Sequence, residues 1–471
     1  MFTYKKSLFV LMSTLLLVCW ASIAPAQKVT VTFWGWISPE WVSTYRDFEA
    51  QYPSIKIKES MLSRQWAATS EKFLTAIAAG NAPDACLQNA HQFQQFASQG
   101  VFRDVGELTE RDGIKDEDWL PYQLQAAYFA GKQFALPLTT DVRAFYYNKR
   151  LFREAGLDPE SPPETWDELE QVGPKLTKQD EKGKFTQFGF APCAASFNPG
   201  AGDGIIWIWI WENGGKFLDS TGKKYIVDNP KNVEAVEWIV NYGDKYCGGG
   251  ETITAFLQSA KGLAQDPFLT ERLAMKVGGS WEFWSTATIP TLDYGISVMP
   301  KPEGGERHTY SCGGVLALPM GSEHVEEAWT FIKWLSGVDT RGALSYAKNC
   351  QEQRAKTWKR QQLTGEVVYV PDFYSNREAL KALEETYGPL LPEKIQKEYR
   401  LMIDSLTHTY FCGGLTDTAW GLTGLNCYNE MQAAVQDAAF HKRTAKESLS
   451  YYNKRLQKAL DEAWAAVRVT S

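Results

Sequence analysis

The chain has 471 residues, 44% of them hydrophobic, and a formal charge of −7. That length is too great for one hydrophobic core and predicts two lobes. An acidic balance with no basic run or stripe argues against nucleic acid and anionic membrane as partners.

The elements begin with a leader. Lys5 and Lys6 precede an apolar stretch from Leu8 to Trp20, and Ala24-Pro25-Ala26 supplies small residues at the cleavage positions. This predicts an export signal over residues 1–26, cut after Ala26. The apolar stretch is too short to span a bilayer. Cys19 is a candidate lipid-attachment site, but Val18 before it is bulkier than that processing accepts, so release without an anchor is expected. The mature chain would be extracytoplasmic.

After the leader, Val29, Val31 and Phe33 alternate as a half-buried strand. Gly35, between Trp34 and Trp36, is expected to let the chain turn there. Ser38-Pro39-Glu40 opens a helix, with proline and an acid in its first turn. Trp41, Tyr45, Phe48 and Tyr52 then share one helix face. "SIKIKES" alternates as the next strand, "EKFLTAIAAG" reads as helix, "APDACLQ" as a buried strand and "QFQQFASQG" as a short helix. This alternation is the signature of a parallel sheet covered by helices.

Farther along, "FALPLTTDVRAFYYNKRLF" holds two strand-like pieces around Thr139-Thr140-Asp141. Thr165 and Glu168 form a capping box. "FGFAP" is a strand, and "GIIWIWIWENGGKFLD" is densely aromatic and ends in Gly214-Gly215. "LAMKVGGSWEFWS" runs from strand to turn to helix. "YGISVMP" and "GGVLALP" are short strands, and "HVEEAWTFIKWLSG" is an amphipathic helix stopped by Gly337. The remainder is mostly helical. No linker divides the chain, so several short crossings are expected to join the lobes.

Motifs for chemistry are scarce. No His-Glu-x-x-His, phosphate loop or dinucleotide fingerprint is present, and "GGSWE" at 278–282 fails the serine-elbow pattern. Neither cofactor nor metal is predicted. Glu212 and Glu282, each beside a tryptophan, are the candidate acids for a glycoside hydrolase, with a solvated or hydrogen-bonded surface acid as the plainer reading of each. Of the eight cysteines, seven follow the leader: 86, 193, 247, 312, 350, 412 and 427. In an oxidising compartment some are expected to pair, and an odd number leaves at least one over.

Tryptophan stands out, with 18 in the chain. Positions 34, 36, 207, 209, 211, 281, 284 and 420 fall at predicted strand ends or turns. An indole offers a flat apolar face and one N–H donor. The C–H face of a sugar ring packs on such a surface while its hydroxyls take polar partners. Ligands of open α/β sheets bind beyond the carboxyl ends of the strands, so these residues point to a carbohydrate-binding cleft.

Six stretches, in this order, carry a resemblance over nearly the whole mature chain. They are "VTVTFWGW" with "FEAQYPSIKIK"; "AAGNAPDACLQNAHQFQQFASQGVFRDVGEL"; "ALPLTTDVRAFYYNKRLFREAGLDPESPPETWDEL"; "AMKVGGSWEFW"; "YGISVMPKPEGG"; and "GGVLALPMGSEHVEEAWTFIKWL". The chain resembles the extracellular solute-binding proteins of ABC importers, specifically the carbohydrate-binding family with maltodextrin- and glycerol-phosphate-binding members. The resemblance implies an α/β, two-lobed periplasmic-binding-protein fold. Each lobe would be a mixed, mostly parallel sheet with flanking helices, joined to the other by hinge strands. Lobe 1 would hold 27–141 plus 312–355 and lobe 2 would hold 142–311 plus 356–471, with the first crossing at 140–145.

It also implies ligand contacts from Trp34, Trp36, Gln88, His91, Asp141, Arg143, Trp207, Trp281, Gly313, Gly314 and Trp420. At Gly313 and Gly314 a bare backbone would approach the ligand. The implied protein is a periplasmic monomer, not an enzyme, that captures a mono- or oligosaccharide by lobe closure and delivers it to importer permease subunits. The alternatives are a secreted carbohydrate-active enzyme and a sensory sugar-binding module without a transport role. The absence of a clustered Arg/Lys set weighs against a phosphate ligand.

Overall fold

In the structure, a computed structural model, residues 28–35, 38–61, 66–192, 205–259, 266–287, 289, 291–360, 368–408 and 418–467 are described. The predicted alternation sets β1 (Val29–Gly35), with Val31 and Phe33 buried. Helix α1 (Pro39–Gln51) starts at the predicted proline and buries Trp41, Thr44, Tyr45 and Phe48 along one face. Then come β2 (Ile55–Met61), α2 (Trp66–Ala78), β3 (Ala85–Asn89), α3 (Ala90–Ser98), α4 (Pro121–Ala126) and β4 (Ala135–Pro137). Two short strands carry the chain out of this lobe, β5 (Thr139–Thr140) and β6 (Arg143–Asn148).

The second lobe continues with α5 (Trp166–Leu176), β7 (Lys178–Gln179), β8 (Phe185–Phe190), α6 (Ile205–Glu212), α7 (Pro230–Cys247), β9 (Leu273–Gly279), α8 (Ser280–Ala287) and β10 (Tyr294–Ser297). The capping box forms as read: the Glu168 N–H donates to Thr165 Oγ1 (3.1 Å) and the Thr165 N–H to Glu168 Oε2 (3.2 Å). The chain then returns through β11 (Gly314–Ala317), α9 (Val325–Ser336) and α10 (Thr340–Arg360). Gly337 stops α9 in the left-handed region (φ 90°), where a side chain would be strained. Last come β12 (Phe373–Tyr374), α11 (Arg377–Tyr387), α12 (Glu393–His408), α13 (Thr418–Ala439) and α14 (Ala445–Ala465).

Two five-stranded sheets result, in the orders β2-β1-β3-β11-β4 and β10-β6-β9-β8-β7. Both are mixed. β1 pairs in parallel with β2 and β3, whereas β11 is antiparallel to β3 and β4. In the second sheet β8 and β9 run parallel, and β6 runs antiparallel to β9 and β10. The two lobes share three crossings: the segment between β4 and β6, the segment leading into β11, and β12, which pairs with β5. Residues 369–387 were expected wholly in the second lobe. The segment contributes to both cores: Val370, Phe373 and Leu380 pack with Tyr146 and Phe283 of the second lobe, while Tyr369, Tyr374, Ala379, Leu383 and Tyr387 pack into the first-lobe core, where α11 lies against α10.

The first-lobe core is built on rings. Phe331 of α9 meets Phe33, Tyr45 and Phe48 edge-on at centroid distances of 5.1, 5.7 and 5.0 Å, contacts worth about 0.5–1.5 kcal/mol each beyond their buried area. A second cluster is continuous between lobes, from Phe73, Phe93 and Phe96 to Leu422 and Met431 of α13, which packs on α3.

Corrections to the sequence reading arise here. "IIWIWIW" is a helix, and its apolar residues cover every side. Trp207 and Trp209 are fully buried in the second-lobe core rather than standing at a strand end. Gly35 keeps strand geometry, pairing with Met61. What it avoids is a Cβ 2.2 Å from the Phe33 ring, not a clash in a turn. Among the described residues, the cysteines at 86, 247, 312, 350 and 427 are buried thiols rather than disulfides; positions 193 and 412 lie outside them.

Glu398 on α12 is also buried. Burial lifts its carboxyl to about 7, against the opposing pull of Lys394, Tyr294 and Lys149. A raised carboxyl stabilises the fold fully below its unfolded value near 4.5, and that contribution is lost as pH rises through about 7. Glu398→Gln should therefore leave stability unchanged at pH 4 and raise it at pH 8 by on the order of 3 kcal/mol, read by denaturant unfolding. Equal effects at both pH values would refute a buried, titrating acid.

Candidate functional site

Asp141 and Cys312 lock the first two crossings together. The Asp141 N–H donates to the Cys312 carbonyl (2.9 Å), and the Cys312 N–H donates to Asp141 Oδ1 (2.8 Å). The same Oδ1 accepts from Arg143 Nη1 at 2.5 Å. Arg143 is only 3% exposed, so its charge is compensated by Asp141 and by two rings. Its guanidinium carbon lies 4.4 Å from the Trp281 ring centroid and 4.7 Å from that of Tyr310. Tyr310 in turn lies nearly parallel to Trp211, at 14° and 6.4 Å. Trp281, Arg143, Tyr310 and Trp211 thus form one column. Its inner members are buried, while Trp281 at its end is 39% exposed.

The Gly-Gly-Ser-Trp turn makes this placement possible. β9 ends at Gly279, and Ser280 begins α8 with its N–H on the Val142 carbonyl (2.9 Å). A Cβ on Gly279 would sit 2.3 Å from the Trp281 ring, and one on Gly278 would sit 2.8 Å from Glu282 Oε2. Both glycines clear the space into which the indole and the carboxylate fold back. Glu282 and Asp266 ion-pair with the buried Lys276 and fix the first turn of α8. Burial pulls the Lys276 ammonium down, but the two carboxylates outweigh it and hold it above its ordinary value.

The first lobe brings Trp34 and Gln88 to the carboxyl ends of β1 and β3. Trp34 is half-buried, with Lys72 Nζ 5.1 Å from its ring centroid and Phe73 against its edge. Gln88 is buried, and its Nε2 has no hydrogen-bond partner among the described residues. Trp36 lies outside the described residues, as do the side chains of His91 on α3 and Trp420 on α13. Gly313 and Gly314 stand in the second crossing for a reason of packing. A Cβ on Gly313 would come 1.9 Å from the Thr139 carbonyl oxygen, and one on Gly314 would come 2.7 Å from Leu87. Gly313→Ala should cost about 1–3 kcal/mol through that clash. A melting temperature equal to wild type would show that the two strands separate freely.

The structure thus brings Asp141, Arg143 and Trp281, each named from the sequence, into one contact group with Trp211, which the sequence singled out only among its tryptophans, and with Tyr310, which it did not name; Lys72 beside Trp34 was not named either. The available signal for Tyr310 was its place just before Cys312-Gly313-Gly314, on the strand that returns beside Asp141. Glu212 is a buried acid rather than a solvated one. Burial raises its carboxyl well above the usual range, against the pull of the His308 backbone, Arg307 and Lys301. Among the described residues no cluster of three or more His, Cys, Asp or Glu is arranged to hold a metal, and no helix is long and apolar enough to cross a membrane.

Two lobes joined by three crossings, with flat rings and a compensated charge where they meet, define a two-lobed binding protein. The profile of the family described as bacterial extracellular solute-binding protein matches residues 29–340, and the chain belongs to that family. It is similar to the maltotriose-binding protein of Pyrococcus abyssi, 22% identical with 65% of this chain and 62% of that one covered. It is also similar to the diacetylchitobiose-binding protein DasA of Streptomyces coelicolor, 24% identical over 68% and 72% of the two chains. Among solved structures, CpMnBP1 with mannobiose bound superposes with a TM-score of 0.70 at 26% identity, covering 91% of this chain and all of that one. The substrate-binding protein Lmo0181 of Listeria monocytogenes, in complex with cycloalternan, matches in fold at a TM-score of 0.70 and 19% identity, over 92% and 99% of the chains.

Proposed function

We propose that this protein is the extracytoplasmic receptor of an ABC importer, that it captures an oligosaccharide between its lobes, and that it hands the closed complex to membrane permease subunits. The observation that carries the reading is the column ending in the exposed Trp281, anchored through Arg143 to Asp141 at the crossing. A sugar face stacks on the free side of that indole, and first-lobe groups such as Trp34 and Gln88 meet its hydroxyls on closure. Only contacts absent from the open form favour the closed one. The protein works as a monomer after its leader is removed, in the periplasm. It binds without turnover: of the two acids weighed for hydrolysis, Glu282 is committed to Lys276 and Glu212 has no exposed surface.

The test is a thermal-shift screen of the mature protein with mannobiose, maltotriose and diacetylchitobiose, the sugars of its relatives, alongside amino acids. At a hundred times its Kd a true ligand adds about 2.7 kcal/mol of stability, a shift of several degrees. A panel in which no carbohydrate shifts the midpoint, while an amino acid does, would overturn the reading.

A further inference from the structure

Trp281 is the second residue of α8 and Glu282 the third, and together they grip both faces of the end of β9. Successive residues of a strand face opposite sides of their sheet. Gly279 stands across the ladder from Arg143, whereas Gly278 stands across from Ala144 and Lys276 across from Tyr146. On the Gly279 face the indole folds back over the strand, 2.3 Å from where a Cβ would be. On the Gly278 face the Glu282 carboxylate folds back in the same way, 2.8 Å from that Cβ, and ion-pairs with Lys276. The backbone of β9 therefore lies between the indole and the ion pair.

Lys276 is 9% exposed. Its ammonium also ion-pairs with Asp266, and it lies 5.6 Å and 5.3 Å from the ring centroids of Tyr146 and Phe268. From the same face the Tyr146 hydroxyl donates to the Gly279 carbonyl (3.0 Å), which steadies the strand end itself. Lys276 stands on the far face of β9 from the indole, so a sugar stacked on Trp281 does not touch it. A buried ion pair adds little net stability, because desolvation offsets most of its attraction. What this pair fixes is direction, since it ties the third residue of α8 to one face of β9 and leaves the second to settle on the other. We infer that Lys276 is a positioning residue for carbohydrate binding, acting through Glu282 to set the first turn of α8 so that the Trp281 ring stays on Arg143. Its part in binding rests on the function proposed above; its hold on the indole does not.

The test is a double-mutant cycle on the mature protein, read by calorimetry with mannobiose, maltotriose and diacetylchitobiose. Lys276→Met, similar in length and uncharged, should weaken binding about tenfold. In the Trp281→Ala background the same change should alter affinity by less than about twofold, because no indole remains to be placed. An equal loss in both backgrounds, or wild-type affinity in Lys276→Met, would overturn the inference. If Lys276→Met fails to fold, Glu282→Gln runs the same cycle, since it keeps the shape and leaves Lys276 paired with Asp266. It should lose about threefold in affinity, and again only while Trp281 is present. A second arm needs no sugar. The indole N–H resonance that vanishes in Trp281→Ala should shift in Glu282→Gln, and a resonance left at its wild-type position would overturn the hold on the indole. If the wild type binds no carbohydrate, the transport reading falls, while the indole resonance still decides the placement.

Discussion

Trp281→Ala is expected to weaken carbohydrate binding at least tenfold, about 1.4 kcal/mol or more, while the fold stays intact. The indole is the one exposed member of its column. Removing it takes away the surface on which a sugar ring stacks, and the polar groups around it cannot replace that apolar contact. Its inner face also covers Arg143, so some stability goes with it. A cation–π contact at a partly exposed site is worth about 1 kcal/mol, which lowers the melting temperature of a chain this long by only about 1 °C. Trp281→Phe should recover part of the affinity. Calorimetry showing wild-type binding in the alanine variant would take Trp281 out of the site.

Asp141→Asn should act on stability as well as on binding. The carboxylate holds Arg143 Nη1 and the Cys312 N–H on one oxygen. The neutral amide takes one counter-charge from a guanidinium that is almost wholly buried, and charge-assisted hydrogen bonds cost about 1.5–3 kcal/mol each when broken. A melting temperature several degrees lower is therefore expected, together with weaker carbohydrate binding, because Arg143 no longer holds the ring of Trp281 in place. The double variant Asp141→Asn with Arg143→Leu should recover much of the stability and none of the binding. A single variant as stable as wild type would mean that the ion pair is not what ties the crossings together.

Local rules made much of the fold legible. Strand alternation at Val31 and Phe33, the proline start of α1, the capping box at Thr165 and the glycine stop at Gly337 each depend on neighbours within a turn or two. The column was legible only in part, because its members come from four distant segments. Asp141 and Arg143 stand out at the crossing, but Tyr310 and Trp211 reach them through pairing that no short window encodes. "IIWIWIW" misled for a definite reason. A two-residue repeat of large apolar side chains wound at 3.6 residues per turn presents them on all sides, which suits a helix enclosed by the core. The glycines misled in another way. Gly35 and Gly313 are demanded by the Phe33 ring and the Thr139 carbonyl, contacts visible only once the strands lie side by side.

The thiol of Cys312 sits in the crossing that pairs with Asp141, 4% exposed and beside Asn89. A thiol-specific reagent reaches it only when that crossing parts from its neighbour, so its alkylation rate is a clock for excursions of the joint. The protein thus carries a native reporter of its own breathing. A bound solute that keeps the joint shut would slow that clock without any dye or engineered label being introduced.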